Sequence, residues 1–170
     1  MRVTDKVVAV TGGGSGIGAA LCSRFAREGA RAVAVIDLDE SRAREVAAQV
    51  GGLALGCDVT GETNLVAAIE HVESGLGPID LFCSNAGVRA NDVDVVDPAS
   101  GSDAGWDVSW KLHVMSYMWA ARRLGPAIVR RGGGYFFKSV DYLRSGAYSA
   151  TNHAAIGFAE SSRSLTPAGV

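Results

Sequence analysis

The stretch TGGGSGIG, at residues 11–18, decides the fold because it joins an apolar segment to a helical one. The preceding VVAVT, at Val7–Thr11, has no polar alternation and is typical of a strand buried on both faces. A helical pattern begins at Gly16. Small residues at such a junction let the backbone approach a phosphate closely, and the free amides at the start of a helix attract an anion. The stretch therefore predicts a loop that binds the diphosphate of a dinucleotide.

An acidic residue follows this loop at the spacing expected for a dinucleotide site. Asp37 lies 19 residues after Gly18 and ends the second apolar run, AVAVID at residues 32–37. In dinucleotide-binding folds the adenosine ribose lies at the end of this second strand. The glycine loop and Asp37 together therefore favour a cofactor site over a merely structural glycine turn.

Short apolar runs alternate with longer helical patterns along the whole chain. Strands are predicted at 7–11, 32–37, 53–58, 79–84 and 135–138, and helices at 16–28, 40–50, 62–74, 103–131 and 148–164. The long fourth helix is expected to bend near Gly125 and Pro126, and residues 88–105 are expected to form an acidic loop. The alternation predicts an α/β fold of the Rossmann type, with about five strands in one doubly wound parallel sheet and a single domain over residues 1–170.

Composition and charge argue against several classes of protein. The formal net charge is −2 and no run of Lys or Arg exceeds two residues, so a surface that follows nucleic acid is not expected. The three cysteines are widely spaced and fit no zinc site, and Asp92, Asp94 and Asp97 lack the spacing of a calcium loop, so no metal is expected. No apolar run has the length of a membrane span or of a signal peptide, which predicts a cytoplasmic protein with free, buried thiols.

The order of the motifs resembles that of the short-chain dehydrogenase/reductase family, and the resemblance covers essentially the whole chain. TGGGSGIG corresponds to the family's TGxxxGxG cofactor loop, Asp58 and Val59 follow the third strand, and Asn85, Ala86 and Gly87 form its NAG motif. Trp106 and Asp107 correspond to the start of its long helix. Tyr148 and Asn152 stand at the ends of its YxxxK motif.

This resemblance implies a cofactor site and favours NAD. Asp37 would bind the ribose hydroxyls and repel the 2′-phosphate of NADP, and Asp58 would accept a hydrogen bond from the adenine amino group. NADP-using members often carry a basic residue where this chain has the neutral Ser15 and Leu38. The implied cofactor-binding residues are Gly12, Ser15, Gly16, Ile17, Gly18, Asp37, Asp58, Val59, Asn85, Ala86 and Gly87.

The family's reaction transfers a hydride between nicotinamide and an alcohol or carbonyl carbon. The resemblance implies that Tyr148 carries the proton and that Ser139 holds the substrate oxygen. Only nine positions separate Ser139 from Tyr148, whereas the family usually places them about a dozen or more apart. Ser145, in the intervening loop, is therefore a competing candidate.

Two positions of the catalytic pattern depart from the family. Asn152 stands where the family has its lysine, and His113 stands where it has an asparagine in the long helix. The pKa of a free tyrosine is about 10, and a cation about 4 Å away at an effective dielectric of 20 would lower it by about three. Asn152 has no such charge, so His113 or His153 is considered as a replacement cation or proton shuttle. The alternative for His113 is a partly buried structural histidine.

The chain ends where the family begins its sixth strand, so we expect it to lack the family's C-terminal strands and substrate lid and to have an uncovered edge after its fifth strand. Two functional hypotheses follow. The first is an NAD-dependent oxidoreductase acting on a small-molecule alcohol or carbonyl. The second is a catalytically impaired dinucleotide-binding protein or subunit. The resemblance also implies a homo-oligomer formed through the long helix and the last helix.

Overall fold

A computed structural model describes residues 2–87, 101–139 and 146–163, in which parallel strands alternate with helices. The strands are β1 (Val7–Thr11), β2 (Ala32–Asp37), β3 (Leu53–Gly56), β4 (Leu81–Ser84) and β5 (Tyr135–Lys138). The helices are α1 (Gly16–Arg27), α2 (Glu40–Val50), α3 (Glu62–Leu76), α4 (Asp103–Trp110), α5 (Ser116–Arg130) and α6 (Gly146–Arg163). A π-helical segment, Lys111–Met115, joins α4 to α5.

The five strands form one sheet in the order β3-β2-β1-β4-β5, and every pair is parallel. The predicted doubly wound Rossmann sheet is therefore confirmed. The order of the strands reverses at β1, where β2 lies on one side and β4 on the other. In such sheets ligands bind outside the carboxyl ends of the strands at the point of reversal. The segments that follow β1 and β4 are therefore the first place to look for a site.

Side chains alternate between two apolar clusters, one on each face of the sheet. In β1, Val7 and Ala9 pack with the cluster that includes residues of α3 and α5, while Val8 and Val10 pack with residues of α1 and α2. The three cysteines are buried free thiols, as predicted. Burial raises the pKa of Cys22 to about 12, which leaves an unreactive thiol at neutral pH.

Several element boundaries differ from those predicted. β3 ends at Gly56 and β4 begins at Leu81, because a parallel strand is bounded by its pairing partners and not by its apolar run alone. The predicted long helix departs from α-helical geometry at Lys111–Met115, and α5 continues through Pro126. The predicted acidic loop lies largely outside the described residues.

Candidate active site

The glycine loop between β1 and α1 is bare and tightly folded. Gly12 and Gly16 have φ values of 65° and 51°, a region that glycine enters without strain. A Cβ on Gly18 would overlap the carbonyl oxygen of Gly12, so no larger residue fits there without moving the backbone. Around Gly16, by contrast, a Cβ would meet nothing within 4 Å. The loop therefore presents open space on the side of Gly16.

The start of α1 offers unpaired backbone donors on this open side. Ser15 is in an extended conformation and its side chain makes no capping hydrogen bond. Within the described residues, the amide of Ala19 donates to Ser15, but no acceptor is found for the amides of Gly16, Ile17 and Gly18. The first amides of any helix lack intrahelical acceptors, and here they coincide with the positive end of the helix dipole. This arrangement suits a diphosphate.

The structure brings Asp37 directly to the glycine loop. One carboxylate oxygen of Asp37 accepts a hydrogen bond of 2.8 Å from the amide of Gly14, and the other accepts one of 3.0 Å from the amide of Asp39. These contacts fix the carboxylate at the carboxyl end of β2. The negatively charged carboxylate thus lies beside the loop. It can accept hydrogen bonds from the hydroxyls of a sugar and would repel a phosphate group attached to that sugar.

Asp58 borders a groove at the end of β3. Its Oδ1 accepts hydrogen bonds from the amide and hydroxyl of Thr60 at 2.9 and 2.7 Å, which orients the exposed carboxylate. Val59 is buried in the core, so only its backbone is available to a ligand. Leu38 is 75% exposed and, together with Asp58, lines a groove of about 540 Å³. This groove can accept a flat apolar ring with a polar edge.

Asn85 holds the end of β4 to the glycine loop. Its side-chain nitrogen donates to the carbonyl oxygens of Thr11 at 3.1 Å and Gly12 at 3.3 Å. The Thr11 hydroxyl in turn accepts from the amides of Asn85 and Ala86, both at 3.1 Å. The backbones approach so closely that a Cβ on Gly12 would lie 2.8 Å from the Cα of Ala86. Asn85 therefore positions the loop, and its side-chain nitrogen is already occupied by protein acceptors.

Gly87, Tyr148 and His113 meet beyond the end of β4. A Cβ built on Gly87 would lie 3.5 Å from His113 Nε2 and 3.9 Å from the Tyr148 hydroxyl oxygen. The two rings are in edge-to-face contact, with centroids 4.8 Å apart and an angle of 76° between their planes. The structure thus brings a phenol from α6 and an imidazole from the π-helical segment together next to Gly87.

The hydrogen-bond network assigns the tautomer of His113. The Thr151 hydroxyl donates to the carbonyl oxygen of Ala147 at 2.7 Å, so its oxygen accepts the proton of His113 Nδ1 at 2.8 Å. The other nitrogen, Nε2, then carries a lone pair and no proton. His113 is 1% exposed, and no partner for its Nε2 is found in the described part of the chain. A buried acceptor without a donor is rare and points to a function.

Lys138, which was not predicted from the sequence, acts on His113 through its charge. It ends β5, beside Ser84 of β4, and burial lowers its pKa to about 8. Burial, and secondly the charge of Lys138, lower the pKa of His113 to about 4. This lowered pKa favours a neutral His113 at pH 7 over the predicted role of a replacement cation. One feature of the sequence could have identified Lys138: it is a single lysine at the carboxyl end of an otherwise apolar strand, YFFK.

The remaining predicted residues occupy different environments. Asn152 is 2% exposed and its side-chain nitrogen donates to the Tyr148 carbonyl oxygen at 2.9 Å, within its own helix. His153 is exposed, and its Nδ1 lies 2.8 Å from the Ser149 carbonyl oxygen of the same helix. Ser139 follows β5 and its amide donates to Ser84 at 3.3 Å. Ser145 lies outside the described residues.

The depressed pKa of His113 predicts a loss of stability in acid. The unfolded chain binds a proton at His113 below its usual pKa of 6.5, whereas the folded chain does not until about pH 4. The contribution is therefore complete above pH 6.5 and is lost as the pH falls to 4, about 3 kcal/mol in the free energy of unfolding. We expect this decrease in the free energy of unfolding to be absent in His113→Leu when urea unfolding is measured between pH 7.5 and pH 4. Parallel pH profiles for the two proteins would contradict the assignment.

A family model described as short chain dehydrogenase matches residues 6–168 of the chain. The cis-2,3-dihydrobiphenyl-2,3-diol dehydrogenase of Pseudomonas sp. (strain KKS102) is 33% identical over 167 residues, which cover 92% of this chain and 59% of that protein. The 3-phenylpropionate-dihydrodiol/cinnamic acid-dihydrodiol dehydrogenase of Shigella sonnei (strain Ss046) is 30% identical over 161 residues, covering 90% and 59% of the two chains. The chain thus spans 59% of the length of these relatives.

Solved structures show the same fold. A 7 alpha-hydroxysteroid dehydrogenase complexed with NADH and 7-oxo glycochenodeoxycholic acid superposes with a TM-score of 0.83 at 27% identity, over 96% of this chain and 67% of that one. The L-sorbose reductase of Gluconobacter frateurii, complexed with NADPH and L-sorbose, superposes with a TM-score of 0.83 at 28% identity, over 97% and 66%.

Two further findings concern the described residues. They contain no group of three or more His, Cys, Asp or Glu side chains arranged to hold a metal ion. None of their helices is both long enough and apolar enough to cross a membrane.

Proposed function

The chain belongs to the short-chain dehydrogenase family, and from this premise we propose that it is an NAD-dependent oxidoreductase acting on a small-molecule alcohol or carbonyl. The observation that carries the proposal is the bare start of α1 with the Asp37 carboxylate fixed beside it. Free amides attract the diphosphate, and the carboxylate binds the ribose. Bound NAD would supply the nicotinamide carbon that accepts or donates the hydride.

The proposed cofactor site follows the carboxyl ends of four strands. The loop after β1 holds the diphosphate, Asp37 the adenosine ribose, and the groove beside Asp58 and Leu38 the adenine. Beyond β4, Gly87 lies next to Tyr148, and the nicotinamide end would bind there. The residues proposed to contact the cofactor are Gly12, Ser15, Gly16, Ile17, Gly18, Asp37, Asp58, Val59, Ala86 and Gly87, and Asn85 positions the loop.

Within this site Tyr148 would exchange a proton with the substrate oxygen. Ser139 orients the same oxygen. The neutral His113 packs edge-to-face against Tyr148, and its Nε2 lies 3.5 Å from the position that a Cβ on Gly87 would take. Asn152 keeps the helical position of the family's lysine but contributes no positive charge to Tyr148.

A second candidate function is a dinucleotide-binding protein or subunit with little catalytic activity. Asn152 favours it, because the tyrosine then lacks the adjacent cation that makes proton transfer efficient near neutral pH. Both candidates require cofactor binding, so binding alone does not separate them. The distinguishing measurement is turnover.

We propose three accompanying properties of the protein. It self-associates through the long helix and α6, supported by exposed Val108 and Trp110 on α4 and Val129 on α5. It resides in the cytoplasm, where a reducing environment suits its buried free thiols. Its chain forms the dinucleotide-binding part of a longer family architecture, since it spans 59% of its relatives.

The proposal is tested by titrating the chain with NADH and with NADPH, followed by fluorescence, and by assaying dehydrogenation of secondary alcohols with NAD. We expect NADH to bind and oxidation to be measurable above the rate of Tyr148→Phe. NADH binding with no rate above Tyr148→Phe would favour the binding protein. Failure to bind either nucleotide would overturn both candidates.

The carboxylate of Asp37 predicts a preference for NADH over NADPH. Repulsion between Asp37 and a 2′-phosphate should weaken NADPH binding about 10-fold to 100-fold, because two like charges at contact distance cost a few kcal/mol at intermediate dielectric. Asp37→Ala should bring the ratio of the Kd for NADPH to the Kd for NADH close to one, mainly because NADPH binds more tightly. Asp39→Ala is the matched control, since Asp39 caps α2 and lies at the same end of the strand. An unchanged ratio in Asp37→Ala would show that another residue selects the cofactor.

A further inference from the structure

A buried hydrogen bond between two side chains joins α6 to the π-helical segment. His113 Nδ1 donates to the Thr151 hydroxyl oxygen at 2.8 Å, and the two residues are 1% and 0% exposed. Two other buried polar side chains of this region, Ser116 and Asn152, donate to carbonyl oxygens one turn earlier in their own helices. Those two bonds act within a helix, whereas the bond between His113 and Thr151 holds one element against the other.

The Thr151 hydroxyl is engaged through both its proton and its oxygen. Its proton goes to the carbonyl oxygen of Ala147 at 2.7 Å, one turn earlier in α6, and its oxygen accepts from His113. If α6 slid or rotated against the π-helical segment, the buried Nδ1 proton would lose its acceptor. An unsatisfied buried donor costs more than the net value of the bond itself. The bond therefore fixes the position of α6 along the π-helical segment.

Tyr148 lies on the same side of α6 as Thr151, because residues three apart in a helix are neighbours. The imidazole of His113 contacts both residues. It donates to Thr151, and its ring packs edge-to-face against the Tyr148 phenol with centroids 4.8 Å apart, a favoured arrangement of two aromatic rings. One side chain thus holds the helix that carries Tyr148 and also the ring of Tyr148.

We propose that His113, through its hydrogen bond to Thr151, is the positioning residue for Tyr148. The inference rests on the proposed function for the role of Tyr148. A phenol that exchanges a proton must stay within hydrogen-bond reach of the substrate oxygen, and a displacement of about 1 Å can cost about 100-fold in rate. Contacts at the helix and at the ring keep the phenol in place. This task requires neither a charge on His113 nor a proton transfer by it.

Thr151→Val tests the bond, because valine keeps the branched shape of threonine and lacks the hydroxyl. We expect kcat for the oxidation of a secondary alcohol with NAD to fall about 10-fold, the effect of a small displacement of the phenol. The Kd for NADH should not change, and Thr151→Ser should retain the wild-type kcat. Ser74→Ala is the matched control, since it removes a hydroxyl that donates to a carbonyl oxygen within α3. It should leave kcat unchanged.

A double variant tests whether His113 and Thr151 act as one unit. His113→Phe keeps a ring beside Tyr148 but cannot donate to Thr151, and it should lower kcat about as much as Thr151→Val. Each single variant leaves one buried polar group without its partner, and the double variant removes both groups. The double variant should therefore be no slower than either single variant. Losses of kcat that add up would overturn the proposal. If Thr151→Val fails to fold, His113→Phe carries the same test.

The orientation of the Tyr148 ring can be measured without turnover. The chain has four tyrosines, so the ring ¹H–¹³C signals of Tyr148 can be assigned from their loss in Tyr148→Phe. The ring current of His113 should displace these signals from those of an unstructured tyrosine. The displacement should shrink in Thr151→Val and persist in Thr151→Ser and Ser74→Ala.

These signals separate the inference from the proposed function. Tyr148 signals that stay unchanged in Thr151→Val would overturn the positioning role, even in an active enzyme. If the signals respond as expected but the wild type oxidises no alcohol faster than Tyr148→Phe, the proposed function is rejected instead. The contact of His113 with Thr151 would then orient a tyrosine that has no catalytic role.

Discussion

Replacement of Asn152 by lysine should raise kcat for alcohol oxidation about 100-fold at pH 7. The side chain at 152 starts one helical turn after Tyr148, whose carbonyl oxygen it contacts at 2.9 Å. An ammonium about 4 Å from the phenol oxygen would favour the ionised tyrosine by about 4 kcal/mol at an effective dielectric of 20. Only part of this energy appears in the rate, because the proton is only partly transferred in the transition state. The measurement is the steady-state rate with saturating NAD.

Asn152→Met is the matched control for this experiment. It also removes the amide and fills a similar space with an unbranched chain, but it adds no charge. It should leave kcat at or below the wild-type value. If Asn152→Lys bound NADH normally and gained no activity, the missing charge would not be what limits the chain. The positive charge of Lys138, or the orientation of Ser139, would then have to account for the wild-type rate.

The geometry of the glycine loop could be predicted because its signals are local. The requirement for glycine at positions 12 and 18 follows from a strand that turns at once into a helix, and Asp37 ends the adjacent strand at a fixed spacing. Parallel pairing of neighbouring strands brings the loop and Asp37 to the same edge of the sheet, independently of the fold of the other segments. The order of elements along the sequence is therefore sufficient to predict that these two features lie close together.

The group around Gly87 could not be predicted because it is assembled from distant parts of the chain. Its members come from the end of β5, the π-helical segment and α6. The sequence does not indicate that Lys138 and His113 share one face of the sheet. Their placement depends on the alternation of side chains along β5 and on the wider turn of the π-helical segment, which changes the direction of the His113 side chain. For the same reason the sequence left two roles open for His113, because burial cannot be read from a single histidine in a helical pattern.

Gly18→Ala should abolish useful cofactor binding, with an increase of about 100-fold or more in the Kd for NADH. The new methyl group would overlap the carbonyl oxygen of Gly12 and lie 2.7 Å from the side-chain nitrogen of Asn85, so the loop must move. Movement breaks the alignment of the first amides of α1 with the diphosphate. Loss of about 3 kcal/mol in hydrogen bonds to a charged group corresponds to about a 100-fold weaker Kd. The same overlap acts in the absence of cofactor, and the melting temperature should fall as well.

Gly75→Ala distinguishes this effect from a general response to replacing a helical glycine. Gly75 lies in α3, and a Cβ there would meet nothing within 4 Å. Alanine at that position should stabilise the fold by about 0.5 to 1 kcal/mol, because the unfolded chain loses conformational freedom, and NADH binding should not change. If Gly18→Ala bound NADH as tightly as the wild type, the amides at the start of α1 would not be the diphosphate site. The nicotinamide cofactor would then have to bind elsewhere on the sheet, and Asp37 could not be the residue that binds its adenosine ribose.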